Sequence, residues 1–159
     1  MFFDKIYRSW KAIQFKKYEK IIKILPSLKN KKILDIGIGP GYFEAFLKSK
    51  GITADIIGID PSKEKLMEKK IIADGSALPF TNNSFDAVIC LDTIHLIKND
   101  DFKRILKPSG LALFSIFFNK QNLEERKTMI KSKLKKFTIL KELIINEKES
   151  EYVVLARKL

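Results

Sequence analysis

The chain has 159 residues, and its composition (45% hydrophobic, 31% charged) is that of a globular protein, so we predict one domain over residues 1–159. One cysteine and one histidine exclude a disulfide framework and a zinc site built from several such ligands. No apolar run reaches the length of a membrane span, and the N-terminus is charged from Asp4 and Lys5 onward, unlike a signal peptide. These features predict a soluble, cytoplasmic protein with no metal site and no membrane partner.

The formal net charge of +12 would suit a nucleic-acid partner, because lysine and arginine displace counterions from phosphates. However, nearly all the basic residues are lysine, and arginine is the residue favoured for bidentate phosphate recognition. A joint excess of lysine and isoleucine also arises from genome composition or a hot habitat. The charge therefore gives only weak support to an RNA partner.

The first predicted element is helical and covers residues 3–25, which we expect to form an N-terminal lid. Its apolar positions fall into two series with a slip of register between them: Phe3, Tyr7 and Trp10, then Phe15, Tyr18, Ile22 and Leu25. Each series steps by three or four residues, which is helical spacing. The slip predicts two short helices or a kink, with Pro26 ending the segment.

Short apolar runs then alternate with helical patterns. In chain order, we predict strand 33–36, helix 42–50, strand 56–59, helix 61–68, strands 71–73 and 85–91, helix 100–106, strand 111–118, helix 123–136 and strands 137–145 and 152–156. Alternation of this kind is typical of a parallel sheet covered on both faces. The last two strands flank the polar turn 146–150 and predict an antiparallel hairpin. The predicted fold is α/β: a Rossmann-like, doubly wound, seven-stranded sheet over residues 31–159, mostly parallel with an antiparallel C-terminal hairpin.

A glycine loop follows the first strand in ILDIGIGPGYF, residues 33–43. Gly37, Gly39 and Gly41 allow a sharp turn and let a ligand approach the backbone, while the following helix directs amide groups at it. Asp60 ends the next strand, where a carboxylate can accept hydrogen bonds from ribose hydroxyls. Together these features indicate a cofactor that contains adenosine.

Two features favour S-adenosylmethionine (SAM) over NAD. The third glycine comes one residue earlier than in the dinucleotide fingerprint, and Tyr42 stands where that fingerprint has glycine or alanine. Asp35, two residues before the first glycine, would repel a pyrophosphate but attract the ammonium and sulfonium groups of SAM. An NAD-dependent oxidoreductase is therefore the less favoured interpretation.

These motifs resemble those of the class I SAM-dependent methyltransferases, and most closely the type 11 branch that acts on small molecules and RNA. ILDIGIGPG is similar to the first motif of the family, and IIGIDPS, residues 56–62, to the second. ADGSALPF at 73–80, FDAVICLDTIHLI at 85–97 and LKPSGLALF at 106–114 resemble later motifs, and YRSW at 7–10 resembles a helix that closes over SAM. The resemblance implies that SAM is bound by the following residues: Tyr7, Trp10, Asp35, Gly37, Gly39, Gly41, Asp60, Pro61, Asp74, Gly75, Ser76 and Leu91.

Departures from the family concern the acceptor side. The usual insertions that build a substrate lid are missing. Many members of the family have a His-His or Glu-His pair after the fourth strand, and this chain has His95–Leu96 there. Methyl transfer is a direct displacement that needs little acid–base machinery, so His95 is a candidate base or a histidine with a structural hydrogen bond. Asp92, in the same turn, is a candidate to steer a cationic substrate or to cap a helix.

The resulting prediction is a SAM-dependent methyltransferase with a small-molecule acceptor. One alternative is an RNA methyltransferase that uses a basic helix, whose charged residues are Arg126, Lys127, Lys131, Lys133, Lys135 and Lys136. Another is a non-catalytic subunit of the same fold that acts with a partner. The short lid makes a homodimer or a partner subunit a further prediction.

Overall fold

The computed structural model describes residues 2–62 and 69–159, and the side chains from residue 8 onward within those ranges. Its helices are α1 (Phe2–Ile21), α2 (Tyr42–Ser49), α3 (Phe102–Ile105) and α4 (Leu123–Lys133), with 3₁₀ turns at Ile22–Ile24 and Ile94–Leu96. Its strands are β1 (Lys32–Ile36), β2 (Asp55–Asp60), β3 (Lys70–Ile72), β4 (Phe85–Leu91), β5 (Leu106–Phe117), β6 (Phe137–Asn146) and β7 (Ser150–Lys158).

The seven strands form one sheet in the order β3-β2-β1-β4-β5-β7-β6. The first five are parallel to one another, and β7 pairs antiparallel with both β5 and β6. This confirms the predicted Rossmann-like fold and its C-terminal hairpin. Strands β2 and β3 are added on one side of β1, and β4 and β5 on the other. Such a switch point between β1 and β4 leaves a crevice at the carboxyl ends of these strands.

Each face of the sheet carries its own hydrophobic core. Ile33 faces α1 and α2, where it is buried with Phe43 and Phe46. Leu34, the next residue, faces α3 and α4, where it is buried with Phe114. Alternate residues of β1 thus point to opposite layers, as expected for a strand covered on both sides.

Helix α1 corrects the prediction of two short helices, because it runs without a break to Ile21. The slip in apolar register has a physical cause: Gln14 and Lys17 continue the helical spacing of Trp10, and both are buried although they are polar. The helix therefore keeps one continuous inner face, part of which is polar. Beyond that part, Tyr18 packs edge-on against Phe43 with ring centroids 5.0 Å apart.

Other boundaries differ more modestly. Strand β5 begins at Leu106 rather than at residue 111, because Leu106 already pairs with Phe85 of β4. The register then shifts, and regular pairing resumes at Leu111 opposite Ala87. The predicted helix 61–68 falls largely on residues 63–68, outside the described part of the chain. Within the described ranges, no helix is both long and apolar enough to cross a membrane.

Candidate functional site

The glycine loop lies directly between β1 and α2. Gly37 donates a hydrogen bond to the carbonyl of Ile59 (2.8 Å) and has a φ of +74°, and a Cβ at this position would overlap the side chain of Thr93. Gly39 also has a positive φ, but a Cβ there would meet nothing within 4 Å. Gly41 is the N-cap of α2. The loop is thus packed against Thr93, in the turn after β4, at Gly37 and is open at Gly39, where a ligand has access to the backbone.

Asp60, at the end of β2, braces this loop. Its Oδ2 accepts a hydrogen bond from the amide of Gly39 (2.9 Å), and its Oδ1 accepts one from Ser62 (2.8 Å). A carboxylate has about four lone-pair sites, so both oxygens keep acceptor capacity for further donors. The carboxylate therefore joins the end of β2 to the part of the loop that is open to a ligand.

Asp35 is a buried carboxyl group at the inner end of the loop, 5% exposed. Burial raises its pKa to about 8, and the carboxylates of Glu44 and Asp60 raise it further. Every influence on this pKa from the described residues disfavours the charged form, so a bound cation would stabilise it. This local imbalance fits a ligand that carries a positive charge.

A cleft of about 300 Å³ lies between the loop, α1 and the end of β4. Five of the predicted cofactor residues line it: Trp10, Asp35, Gly37, Gly39 and Leu91. The rest of the lining is Gln14 and Tyr18 from α1, Ile38, Pro40, Tyr42 and Phe43 around the loop, and Asp92 and Thr93 after β4. The closing wall is therefore α1, and no insertion is needed to form it.

The predicted adenine segment lies apart from this lining. Asp74 accepts a hydrogen bond from the amide of Ser76 (2.8 Å), and the Ser76 hydroxyl accepts one from the amide of Lys98 (2.9 Å). Gly75 has so little space that a Cβ would overlap Ile36 and Ile97. The segment is thus held against the turn that follows β4. Pro61 is exposed after β2, and the side chain of Tyr7 lies outside the described residues.

His95 does not join the cleft. It lies in the 3₁₀ turn after β4, its side chain is exposed, and it is absent from the cleft lining. Partial burial and the positive charge of Arg126 lower the pKa of its imidazole. Asp92, three residues earlier, does line the cleft.

A buried ion-pair network adjoins the cleft, and the sequence did not reveal it. Lys17, fully buried on α1, contacts the carboxylates of Glu151 on β7 and of Asp92 (3.1 Å). These interactions with the two carboxylates raise the pKa of Lys17 in spite of its burial. The available signal was the helical spacing of Trp10, Gln14 and Lys17, which marks an inward-facing lysine.

The residues fit SAM as a ligand. Gly39 offers open backbone, and Asp35 is a buried carboxyl group whose described surroundings supply no compensating cation. Among the described residues, no group of three or more histidine, cysteine or acidic side chains is arranged to hold a metal ion.

Comparisons with known proteins agree with this geometry. The family model described as "Methyltransferase domain", of type 11, matches residues 34–114, from β1 into β5. An uncharacterized protein of Methanocaldococcus jannaschii is 34% identical over 114 residues, which is 67% of this chain and 50% of that protein. A ubiquinone biosynthesis O-methyltransferase of Bradyrhizobium diazoefficiens is 29% identical over 116 residues, 63% of this chain and 45% of that protein. The chain thus spans about half the length of these curated relatives.

A solved structure shares the fold. The crystal structure of a SAM-dependent methyltransferase from Aquifex aeolicus superposes with a TM-score of 0.68 at 15% identity, covering 89% of both chains. The family match includes the glycine loop, Asp60, the segment 74–76 and Leu91, which contain most of the predicted cofactor residues. By this match and this fold, the chain belongs to the type 11 family of class I SAM-dependent methyltransferases.

Proposed function

We propose that this protein transfers the methyl group of SAM to a small-molecule acceptor bound in the cleft beneath α1. The observation that carries the proposal is the buried carboxyl group of Asp35 beside the open backbone of Gly39. A carboxylate next to such a loop suits an amino acid ammonium and disfavours the pyrophosphate of a dinucleotide.

Most of the predicted cofactor residues contact one part of SAM in this proposal. Asp35 binds the ammonium group of the cofactor, the loop from Gly37 to Gly41 supports its methionine part, and Asp60 accepts hydrogen bonds from the ribose. The segment 74–76 flanks the adenine, and Leu91 provides an apolar wall. When bound, SAM supplies an electrophilic methyl group, and the residues of the chain orient it toward the acceptor.

The wall formed by α1 contributes in a different way. Trp10 and Tyr18 border the cleft with aromatic surface, and Phe15 packs edge-on against Phe46 at a centroid distance of 5.4 Å. Such a wall excludes water from the reacting groups, which favours displacement at the methyl carbon.

Three observations favour a small-molecule acceptor over RNA. The cleft has a volume of about 300 Å³, and α1 forms one of its walls. On the basic helix α4, three lysines are engaged by carboxylates: Lys127 by Glu124, Lys131 by Glu142 and Lys133 by Asp100. The O-methyltransferase relative also takes its name from the biosynthesis of a small molecule. The RNA alternative predicts affinity for RNA that falls steeply with salt, so a flat response from 50 to 200 mM would remove it.

Titration calorimetry with SAM, S-adenosylhomocysteine (SAH) and NAD tests the proposal. We expect SAM and SAH to bind and NAD not to bind. Asp35→Asn and Asp60→Ala should each weaken binding of SAM at least tenfold, because they remove the partners of the ammonium group and of the ribose. Asp55→Asn is the matched control: it changes an exposed aspartate of β2 that pairs with Lys69. Failure of all three ligands to bind would contradict the proposal.

If the cofactor binds, turnover of a panel of small hydroxyl, amine and thiol compounds identifies the acceptor class. SAH formation without an added acceptor sets the background. Size-exclusion chromatography with light scattering then tests the predicted homodimer. Binding of SAM without turnover of any acceptor would support the non-catalytic alternative.

A further inference from the structure

The residue that follows β4 is held in an unusual backbone conformation at the edge of the cleft. Asp92 has a φ of +61°, which a residue with a side chain rarely adopts. Its amide donates to the carbonyl (3.1 Å) and to the hydroxyl (3.2 Å) of Ser115 on β5. Thr93 is fixed in turn by a hydrogen bond from its hydroxyl to the carbonyl of Ile36 (3.0 Å). This local strain is maintained by the surrounding structure, as is typical of functional positions.

Two buried side chains, which do not line the cleft, adjoin the carboxylate of Asp92. Lys17 donates a hydrogen bond to its Oδ2, and the buried carboxyl group of Glu151 lies within hydrogen-bonding reach of the Asp92 carboxylate. Burial and the charge of Asp92 raise the pKa of Glu151 to about 7, although Lys17 opposes the shift. Oδ1 of Asp92 is buried and has no donor among the described residues. The side chain as a whole remains 24% exposed, on the side of the cleft.

The carboxyl groups around Lys17 outnumber the positive charges that the structure places beside them. Glu149 also lies near Asp92 and Lys17, and burial together with the charge of Asp92 raises its pKa. Two carboxyl groups thus contact one buried ammonium group and a third lies near it, in a chain whose overall net charge is +12. A donor or a positive charge arriving through the cleft would complete the network, whereas an anion would be repelled.

We propose that Asp92 receives the proton of the methyl acceptor, and that the acceptor therefore carries an O–H or N–H group at the atom to be methylated. This inference rests on the proposed methyl transfer in the same cleft. Lys17 and Glu151 act as positioning residues, because they hold the carboxylate without lining the cleft. The role that the sequence offered to His95 passes to Asp92, which is part of the cleft wall.

The step balances without any further reactant. A lone pair of the acceptor oxygen or nitrogen forms a bond to the methyl carbon while the carbon–sulfur bond breaks. The electron pair of that bond stays on sulfur, which becomes a neutral thioether. The proton of the acceptor group passes to the Asp92 carboxylate, and from there to water once the products have left the cleft.

Sinefungin tests the inference without knowledge of the acceptor. In this analogue of SAH, an amine-bearing carbon replaces the sulfur, so protonated N–H donors project from the place where the methyl group and the acceptor meet. We expect the protein to bind sinefungin at least tenfold more tightly than SAH in calorimetry. Asp92→Asn should reduce this preference about tenfold or more, because the amide is neutral, while SAH still binds.

Two further variants separate positioning from simple stability. Glu151→Gln keeps the shape of the side chain, and we expect it to change the sinefungin preference less than Asp92→Asn does. His95→Gln is the matched control in the same turn and should leave the preference unchanged. A preference that persists in Asp92→Asn, or is absent from the wild-type protein that binds SAH, overturns the inference. Loss of SAH binding by the wild-type protein overturns the proposed function as well.

Discussion

The candidate site has two halves, which differ in how far apart their residues stand along the chain. The loop half consists of residues 35–41, at and after the end of β1, and of Asp60, which ends the adjacent strand β2. The helix half consists of Lys17, Asp92 and Glu151, which lie on α1, after β4 and on β7. Backbone conformation shapes the loop half, whereas buried charge joins the parts of the helix half. The first is therefore expected to depend on glycine, and the second on the pairing of charges.

The largest expected effect comes from removing the cation of the helix half. Lys17→Met leaves the carboxylates of Asp92 and Glu151 buried without their partner, and breaking a buried pair in this way costs about 3–5 kcal/mol of unfolding free energy. Urea denaturation followed by circular dichroism measures it. Adding Glu151→Gln to Lys17→Met removes one uncompensated charge and should recover part of the loss. A cost below about 1 kcal/mol would show that the buried pairing is unimportant.

The loop half should respond most to a substitution at Gly37. Gly37→Ala combines a positive φ, which costs about 1–2 kcal/mol, with an overlap against Thr93 that costs about 1–3 kcal/mol more. Gly51→Ala is the matched control, because Gly51 has a φ of +69° and open space around a Cβ. The difference between their unfolding free energies therefore isolates the overlap. Equal losses of stability would contradict the close contact between the loop and Thr93.

The binding of SAM should depend on pH through Asp35. Its pKa of about 8 means that the ligand-free protein carries a proton there at neutral pH, which a bound ammonium group displaces. Affinity should therefore rise from pH 5 to 7, by up to about tenfold per pH unit, with release of close to one proton. Calorimetry in buffers of different ionisation enthalpy measures the release. In Asp35→Asn, both the pH dependence and the proton release should disappear.

The same residue affects stability with the opposite trend. Because the folded state holds a proton that the unfolded chain releases above its ordinary pKa of 3.8, unfolding free energy falls as pH rises toward 8. Relative to Asp35→Asn, the ligand-free wild-type protein should lose stability over this range. Thermal denaturation of both proteins at pH 5 and at pH 8 measures the change in stability. The same change in the wild-type protein and in Asp35→Asn would contradict the raised pKa of Asp35.

The smallest effect is expected at the rim of the helix half. Lys20, one turn from Lys17 on α1, pairs with Glu147 at 2.5 Å, but both side chains are more than one third exposed. Water and salt screen such a pair, so Lys20→Ala should cost less than about 1 kcal/mol. A loss comparable with that of Lys17→Met would remove the distinction between the rim and the buried network.

The sequence predicted the loop half well because its signals are local. Asp35, Gly37 and Gly39 follow a short apolar strand directly, and Asp60 ends the next strand, so spacing alone placed them at one edge of the sheet. The sheet followed for the same reason, since alternation of strands and helices restricts the topology.

The helix half could not be predicted in the same way. Lys17 stands 75 positions before Asp92, and no local pattern connects them. A lysine on a helix is usually solvated, so the break in apolar spacing on α1 predicts two short helices or a kink, and not a buried lysine on a continuous helix. His95 is a candidate base by sequence because it is the single histidine, and the structure does not include it in the lining of the cleft.

The position of β7 between β5 and β6 has a consequence for the order of folding. Strands β1 and β2 with α2 can pair soon after they meet, because the loops that join them are short. Glu151 reaches its place only when β7 has paired with β5, and α1 then gains the partner that holds it down. We therefore expect α1 to dock late in refolding, after the glycine loop has formed, and its amides to exchange hydrogen faster than those of β1 and β4.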